Sequence, residues 1–207
     1  MPNWCGNTLT ITGEKKEIAR FKKLANSNKE NPIISFEAFV PMPKETRETT
    51  QENTPIPDWY SWALANWGTK WDACEAMLTA QTHSLLTYVF ETAWGPPIEW
   101  LIATGKIFPK LHLSLDYDEP GMDFSGTVIV QNEEVEDIAN EGSLQNIEYR
   151  ENNPEEYCPI CETWTETGEL CESCQEKEPC EEGDCDMSFN KEHQDIRCSI
   201  CNKIKEE

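Results

Sequence analysis

The stretch "LLTYVFETAWGPPIEWLIATGKIFPKLHLSLDY", residues 85 to 117, decides the fold. Its opening, "LLTYVFETAW", is rich in β-branched and aromatic residues and reads as a strand. Pro96 and Pro97 follow. Proline is tolerated in a first helical turn, where its missing N–H has no partner in any case. "PPIEWLIATGKI" is therefore predicted to be a helix. "KLHLSLDY" then alternates apolar and polar residues, the period of a half-buried strand.

Working outward, "NTLTITG" also alternates and stops at Gly13, so it reads as a strand. In "EKKEIARFKKLANSN", Ile18, Phe21, Leu24 and Ala25 share one helical face, with Lys and Glu opposite. "ISFEAFVPMP" reads as a second strand, stopped by two prolines. Residues 44–57 are polar and predicted to be an exposed loop. Asp58 is a candidate N-cap for a short helix, "DWYSWALANWGTKW", ending near Gly68. "WDACEAML" reads as a strand and "TAQTHS" as the turn after it. "DEPG" turns the chain into "DFSGTVIVQN", the last predicted strand. Helices are too few for a doubly wound parallel sheet. The order predicts an α+β sandwich, an antiparallel sheet with helices on one face in a split β-α-β arrangement.

Charge divides the chain. Residues 1–130 carry 11 Lys+Arg against 16 Asp+Glu, and residues 131–207 carry 6 against 23. Such asymmetry points to two units with different roles. A net charge of −22 argues against direct nucleic-acid binding, which draws its affinity from Lys and Arg displacing counterions. The N-terminus lacks the basic and apolar regions of a signal peptide, and no apolar run reaches the length of a membrane span. A cytoplasmic protein with reduced thiols is expected, without a membrane partner. The expected division is 1–131 as the α+β domain, 132–157 as an acidic linker and 158–207 as a cysteine-rich module.

Eight of the ten cysteines fall in that module. Cys158 and Cys161 in "CPIC" pair with Cys171 and Cys174 in "CESC". Cys180 and Cys185 in "CEEGDC" pair with Cys198 and Cys201 in "CSIC". A CxxC turn aims two sulfurs at one point, and two such turns complete a tetrahedral thiolate shell. Two structural Zn²⁺ sites in a zinc-ribbon-like module are predicted. A disulfide framework is the alternative, and His193 is a possible substitute ligand in the second site. With so few apolar side chains, the metals would supply the module's folding energy. Closed shells leave no open position for catalysis.

Five motifs spread over roughly residues 1–130 resemble the YubB ferredoxin-like family of phages and plasmids. They are "MPNWCGNTLTITG" at the start, "FEAFVPMP" at 36–43, "NWGTKWDA" at 66–73, "FETAWGPP" at 90–97 and "YDEPGMDFSG" at 117–126. The resemblance implies a ferredoxin-like fold, a mobile-element origin and action in a bacterial cytoplasm. It implies no particular activity, and the cysteine-rich tail is not part of its pattern.

The motifs place Asn3, Trp4, Asn66, Trp67, Lys70, Trp71, Asp72, Trp94, Tyr117, Glu119 and Phe124 at element ends, where they could converge. Trp67 and Trp71 would share a side if the turn stays helical. A lysine beside tryptophans offers an ammonium for phosphate or carboxylate and a flat ring for stacking. Asp72 and Glu119 could accept hydrogen bonds from a ribose or an amine. The competing reading is a structural corner, with packed tryptophans, tight turns at Gly68 and Gly95, and a Lys70–Asp72 ion pair. The histidines lie in no catalytic motif, and no phosphate loop or nucleophile elbow is present. Cys5 and Cys74 read as packed, inert thiols. The expected function is non-enzymatic binding of a host protein or a nucleotide-like ligand by a mobile-element accessory protein that counters host defence. An enzyme using Lys70, Asp72 and Glu119 on a nucleotide-like substrate, and an acidic decoy mimicking nucleic acid, remain the alternatives.

Overall fold

The computed structural model describes residues 3–49 and 57–153, Glu156, Thr165, and the backbone of 187–190 and 195–198. The chain divides into two compact units, Met1–Asn146 and Ile147–Glu207.

The first unit is built on β1 (Trp4–Thr12), α1 (Lys15–Ala25), α2 (Phe36–Phe39), α3 (Lys44–Glu48), α4 (Trp59–Trp67), β2 (Cys74–Gln81), β3 (Leu85–Ala93), α5 (Ile98–Ile107), β4 (His112–Glu119), β5 (Phe124–Gln131) and β6 (Glu134–Ala139). The sheet order is β2-β3-β1-β4-β5-β6, and every neighbouring pair is antiparallel. β1 and β2 therefore run parallel with β3 inserted between them. β3 and β4 run parallel with β1 between them. Two interleaved split β-α-β units are the ferredoxin-like α+β arrangement that the element order predicted. β5 and β6 extend it as a meander. Among the described residues, no helix is long and apolar enough to cross a membrane.

Alternation along the strands turns Leu9, Ile11, Leu86, Tyr88, Phe90, Leu113, Leu115, Val128 and Val130 into one buried layer. Ile18 and Phe21 of α1 and Trp100 and Leu101 of α5 close over it. Each such side chain stabilises by about 1.5–3 kcal/mol when fully buried.

The segment "FEAF", read from sequence as part of a strand, is a single helical turn. Phe36 and Phe39 are three residues apart, so a strand would point them to opposite faces. The helical turn sends both inward. Phe36 packs 4.6 Å from the Trp100 ring, and Phe39 packs 5.3 Å from it and 4.9 Å from Phe21. The turn is too short to stand alone, and its free N–H groups are capped from a distant part of the chain. Asp72 accepts from Phe36 N at 2.5 Å and Ser35 Oγ at 2.6 Å.

Two further differences concern the polar segments. Lys44–Glu48, expected to be loop, is the short helix α3, while residues 50–56 lie outside the described set. Glu134–Ala139, expected in an acidic linker, is β6. The chain enters it through Asn132 and Glu133, both at positive φ (51° and 68°), as a two-residue hairpin turn requires. Every β6 residue is exposed. Its carboxylates sit on a sheet edge, where charge discourages pairing with another strand. Composition alone marked it as linker.

In the second unit, the backbone of β7 (Met187–Asn190) pairs antiparallel with β8 (Asp195–Cys198). A helix, α6 (Leu144–Asn152), spans the unit boundary in sequence. Apart from the backbone of Cys198, the eight cysteines assigned to zinc lie outside the described residues, as does His193. Among the described residues, no group of three or more His, Cys, Asp or Glu could hold a metal.

The packing makes α2 dependent on one carboxylate. Asp72→Ala leaves the Phe36 N–H and Ser35 hydroxyl without their acceptor and should cost about 1.5–3 kcal/mol. Urea unfolding measures it, and a loss under about 0.5 kcal/mol would show that α2 holds without the cap.

Candidate functional site

The "NWGTKWDA" corner begins where α4 ends. Asp58 caps α4, its Oδ1 accepting from Tyr60 N at 2.9 Å and Ser61 N at 3.0 Å. Gly68 ends the helix at φ 82°, the left-handed conformation that favours glycine. A side chain there would also press on Ile98 N at 3.1 Å and Pro96 O at 3.2 Å. The reversal parts the two tryptophans expected on one side. Trp67 is 6% exposed, stacks edge-on against Phe36 and Trp62, and donates its indole N–H to Val40 O at 2.9 Å. Trp71 is 37% exposed and faces outward.

Lys70 and Asp72 part in the same way and form no ion pair. Asp72 turns in to cap α2. The Lys70 ammonium turns out and lies over four rings: Trp71 at 4.6 Å, Trp94 at 5.0 Å, Tyr60 at 5.9 Å and Trp59 at 6.0 Å. Trp4, at the start of β1, adds a fifth ring 6.1 Å from Trp71. No carboxylate pairs with Lys70 among the described residues. Trp4, Tyr60, Trp71 and Trp94 are each between 36% and 43% exposed, forming a continuous aromatic surface with one cation at its centre.

Trp94 is held in an unusual way. Its φ is +68°, a genuine outlier for a bulky residue, and such strain persists only where the surroundings over-determine it. The surroundings do so. Trp94 N donates to Asn3 O at 2.9 Å. On either side, Thr69 Oγ1 donates to Ala93 O at 2.9 Å and Thr92 Oγ1 to Gly95 O at 2.8 Å. The Thr92 hydroxyl itself accepts from Asn7 Nδ2 at 2.8 Å, inside the core. Residues from three of the sequence motifs thus converge on one exposed tryptophan.

The remaining predicted residues belong to the framework. Asn66 donates to Trp62 O at 2.9 Å, back along its own helix. Tyr117 is buried on the inner face of β4, and burial pushes its phenol up from its ordinary value. Phe124 packs 6.1 Å from it. Glu119 is 1% exposed and accepts from Gly121 N at 3.1 Å and Met122 N, holding the β4–β5 turn. Asp72 and Glu119 are committed to backbone donors of different loops. Burial pushes the Cys5 thiol up to about 12. The half-buried Cys74 thiol is also raised, first by burial and then by the Asp72, Glu91 and Glu75 carboxylates.

Sequence reading missed Trp59, Tyr60, Asn7, Thr69 and Thr92. The first two carried a signal. "WYSWALANW" has no charged residue, so its solvent face is as apolar as its core face, which marks a helix with something further to bind. Beside the platform lies a cleft of about 410 Å³, lined by Arg47, Trp59, Trp67, Lys70 and Trp71 among others. The Arg47 guanidinium there pairs with Glu37 at 2.6 Å.

The two tryptophans of the corner should respond differently to truncation. Trp67→Ala empties a core position and should cost about 3–5 kcal/mol, whereas Trp71→Ala should cost less than about 1 kcal/mol. Equal losses on urea unfolding would contradict the division into a buried and a presented tryptophan.

Comparison with known proteins places the fold in context. No curated protein matches the sequence. Among solved structures, the protein api92 from Yersinia pseudotuberculosis aligns over 68% of this chain and 98% of its own, at 9% identity and a TM-score of 0.44. Residues 66–159, which open on the "NWGTKWDA" corner, match the family described as "Ferredoxin-like domain in Api92-like protein". Residues 66–159 are thus similar to the ferredoxin-like domain of Api92-like proteins.

Proposed function

We propose that the protein is a non-enzymatic accessory factor of a phage or related mobile element that binds a host protein through the Lys70 platform. The observation that supports this reading is the Lys70 ammonium over four rings, three of them more than a third exposed, with Trp94 held at positive φ. Tryptophan and tyrosine dominate the energetics of protein interfaces, and contiguous exposed apolar surface marks interaction sites. Lys70, with no carboxylate partner among the described residues, sets the register, meeting an acidic group of the partner at the centre of an apolar contact. The mobile-element origin, the action in a bacterial cytoplasm and the role against host defence rest on the motif resemblance to the YubB family.

A second reading has its own support. The neighbouring cleft is lined by Lys70, Trp59 and Trp71, together with the Arg47–Glu37 pair, Glu30 and Asp72. Lys70 beside the two rings suits a nucleotide-like ligand, with a base stacked on a ring, a phosphate near the ammonium and the carboxylates accepting from ribose hydroxyls.

The tail completes the proposal. Cys158, Cys161, Cys171 and Cys174 would hold one zinc, and Cys180, Cys185, Cys198 and Cys201 a second. Each closed four-thiolate shell would stabilise the module and present its acidic surface to a partner.

Affinity capture from bacterial lysate with the full chain should retain one stoichiometric protein. Trp71→Ala and Trp94→Ala should release it, and Lys70→Ala should weaken it. A partner retained equally by all three variants would reject the platform. Quenching of tryptophan fluorescence by a nucleotide, abolished in Trp71→Ala, would instead favour the second reading. For the tail, native mass spectra should show two zinc ions per chain. A metal-free chain carrying intact disulfides would overturn that assignment.

A further inference from the structure

Helix α1 and the turn between β2 and β3 enclose a second cleft, of about 610 Å³, within the first unit. Lys15, Lys22, Lys23 and His83 line it, over a floor that includes Ile18 and Leu86. Lys15, Ala19 and Lys22 recur at helical spacing and form one stripe of α1 facing the turn, continued by Asn26 at the C-cap. Ala19 leaves room in the middle of that stripe. Among the described residues, no carboxylate lines the cleft and none of the three lysines forms an ion pair. Lys22 instead donates to Gln81 Oε1 across the cleft.

Helix stability accounts for only part of this cluster. Lys22 and Lys23 lie in the last turn of α1, where cations favour the helix dipole. Lys15 opens the helix, where a cation is disfavoured. Three lysines thus line one cleft in a chain of net charge −22.

We propose that this cleft binds a phosphate-bearing small molecule. The ammonium groups supply charge-assisted hydrogen bonds to phosphate oxygens. The apolar floor receives the body of the ligand, and the Gln81 amide and Thr82 hydroxyl at its edge offer orienting contacts. The volume falls within the range of about 300–1,000 Å³ usual for small-molecule sites. The site is separate from the Lys70 platform and does not depend on the function proposed for it.

Isothermal titration of the full chain with AMP, inorganic phosphate and adenosine tests the assignment. AMP should saturate a single site, phosphate should compete with it, and adenosine should bind far more weakly. Lys15→Gln and Lys22→Gln should each weaken AMP at least about tenfold, the worth of one charge-assisted contact. Lys29→Gln, an exposed lysine outside the cleft, and Lys70→Ala should leave binding unchanged. No saturation by AMP or phosphate would overturn the proposal. So would an equal loss in Lys29→Gln, which would mean diffuse charge attraction, or a loss confined to Lys70→Ala, which would move the site to the platform.

Discussion

The Asp72 carboxylate is the contact on which the rest of the first unit depends. Its hydrogen bonds to Phe36 N and Ser35 Oγ convert an isolated turn into a fixed element. That element delivers Phe36 and Phe39 to Trp100, at the centre of the aromatic core. The same contact ties the corner after α4 to α2, so the backbone on either side of Asp72 has a defined direction. Lys70 and Trp71 then have one way to face, which is outward.

The platform follows from this constraint and one more. Trp94 is held at positive φ by hydrogen bonds that reach through Thr92 to Asn7, a buried side chain on β1. Strain of this kind costs about 1–3 kcal/mol, a sizeable share of the roughly 5–15 kcal/mol by which folds are stabilised, and the proposed binding role gives it a use. Fixed rings lose little freedom on binding, and preorganisation of this kind raises affinity without new contacts. The buried and exposed parts of the motifs are therefore two layers of one device. Trp67, Asp72, Thr69 and Thr92 hold the backbone, while Trp4, Lys70, Trp71 and Trp94 meet the solvent.

The sequence made the sheet and its two long helices legible, because alternation and helical periodicity are local and strong. The stretch from Leu85 to Tyr117 read correctly as strand, helix and strand. "FEAF" did not, because its helical state is imposed by Asp72, far away in sequence. β6 was hidden by its acidic composition, which on an edge strand serves protection rather than burial. At the site, the motif residues were found, but their roles were not separable. Trp67 and Trp71 look alike in sequence, and the left-handed turn at Gly68 sends one to the core and the other to the surface. Tyr60 and Trp59 join the platform through tertiary geometry that no spacing rule encodes.

The central claim is that Trp94 is held under strain to present its ring, not to pack the fold. The unfolding free energy of Trp94→Gly tests it most directly, because glycine accepts positive φ without a side-chain clash. Relief of the strain should offset most of what the half-buried ring contributes, leaving the variant less stable than the wild type by no more than about 1 kcal/mol. A loss of about 3 kcal/mol or more, the range of a core tryptophan, would contradict it and would make Trp94 a structural tryptophan like Trp67.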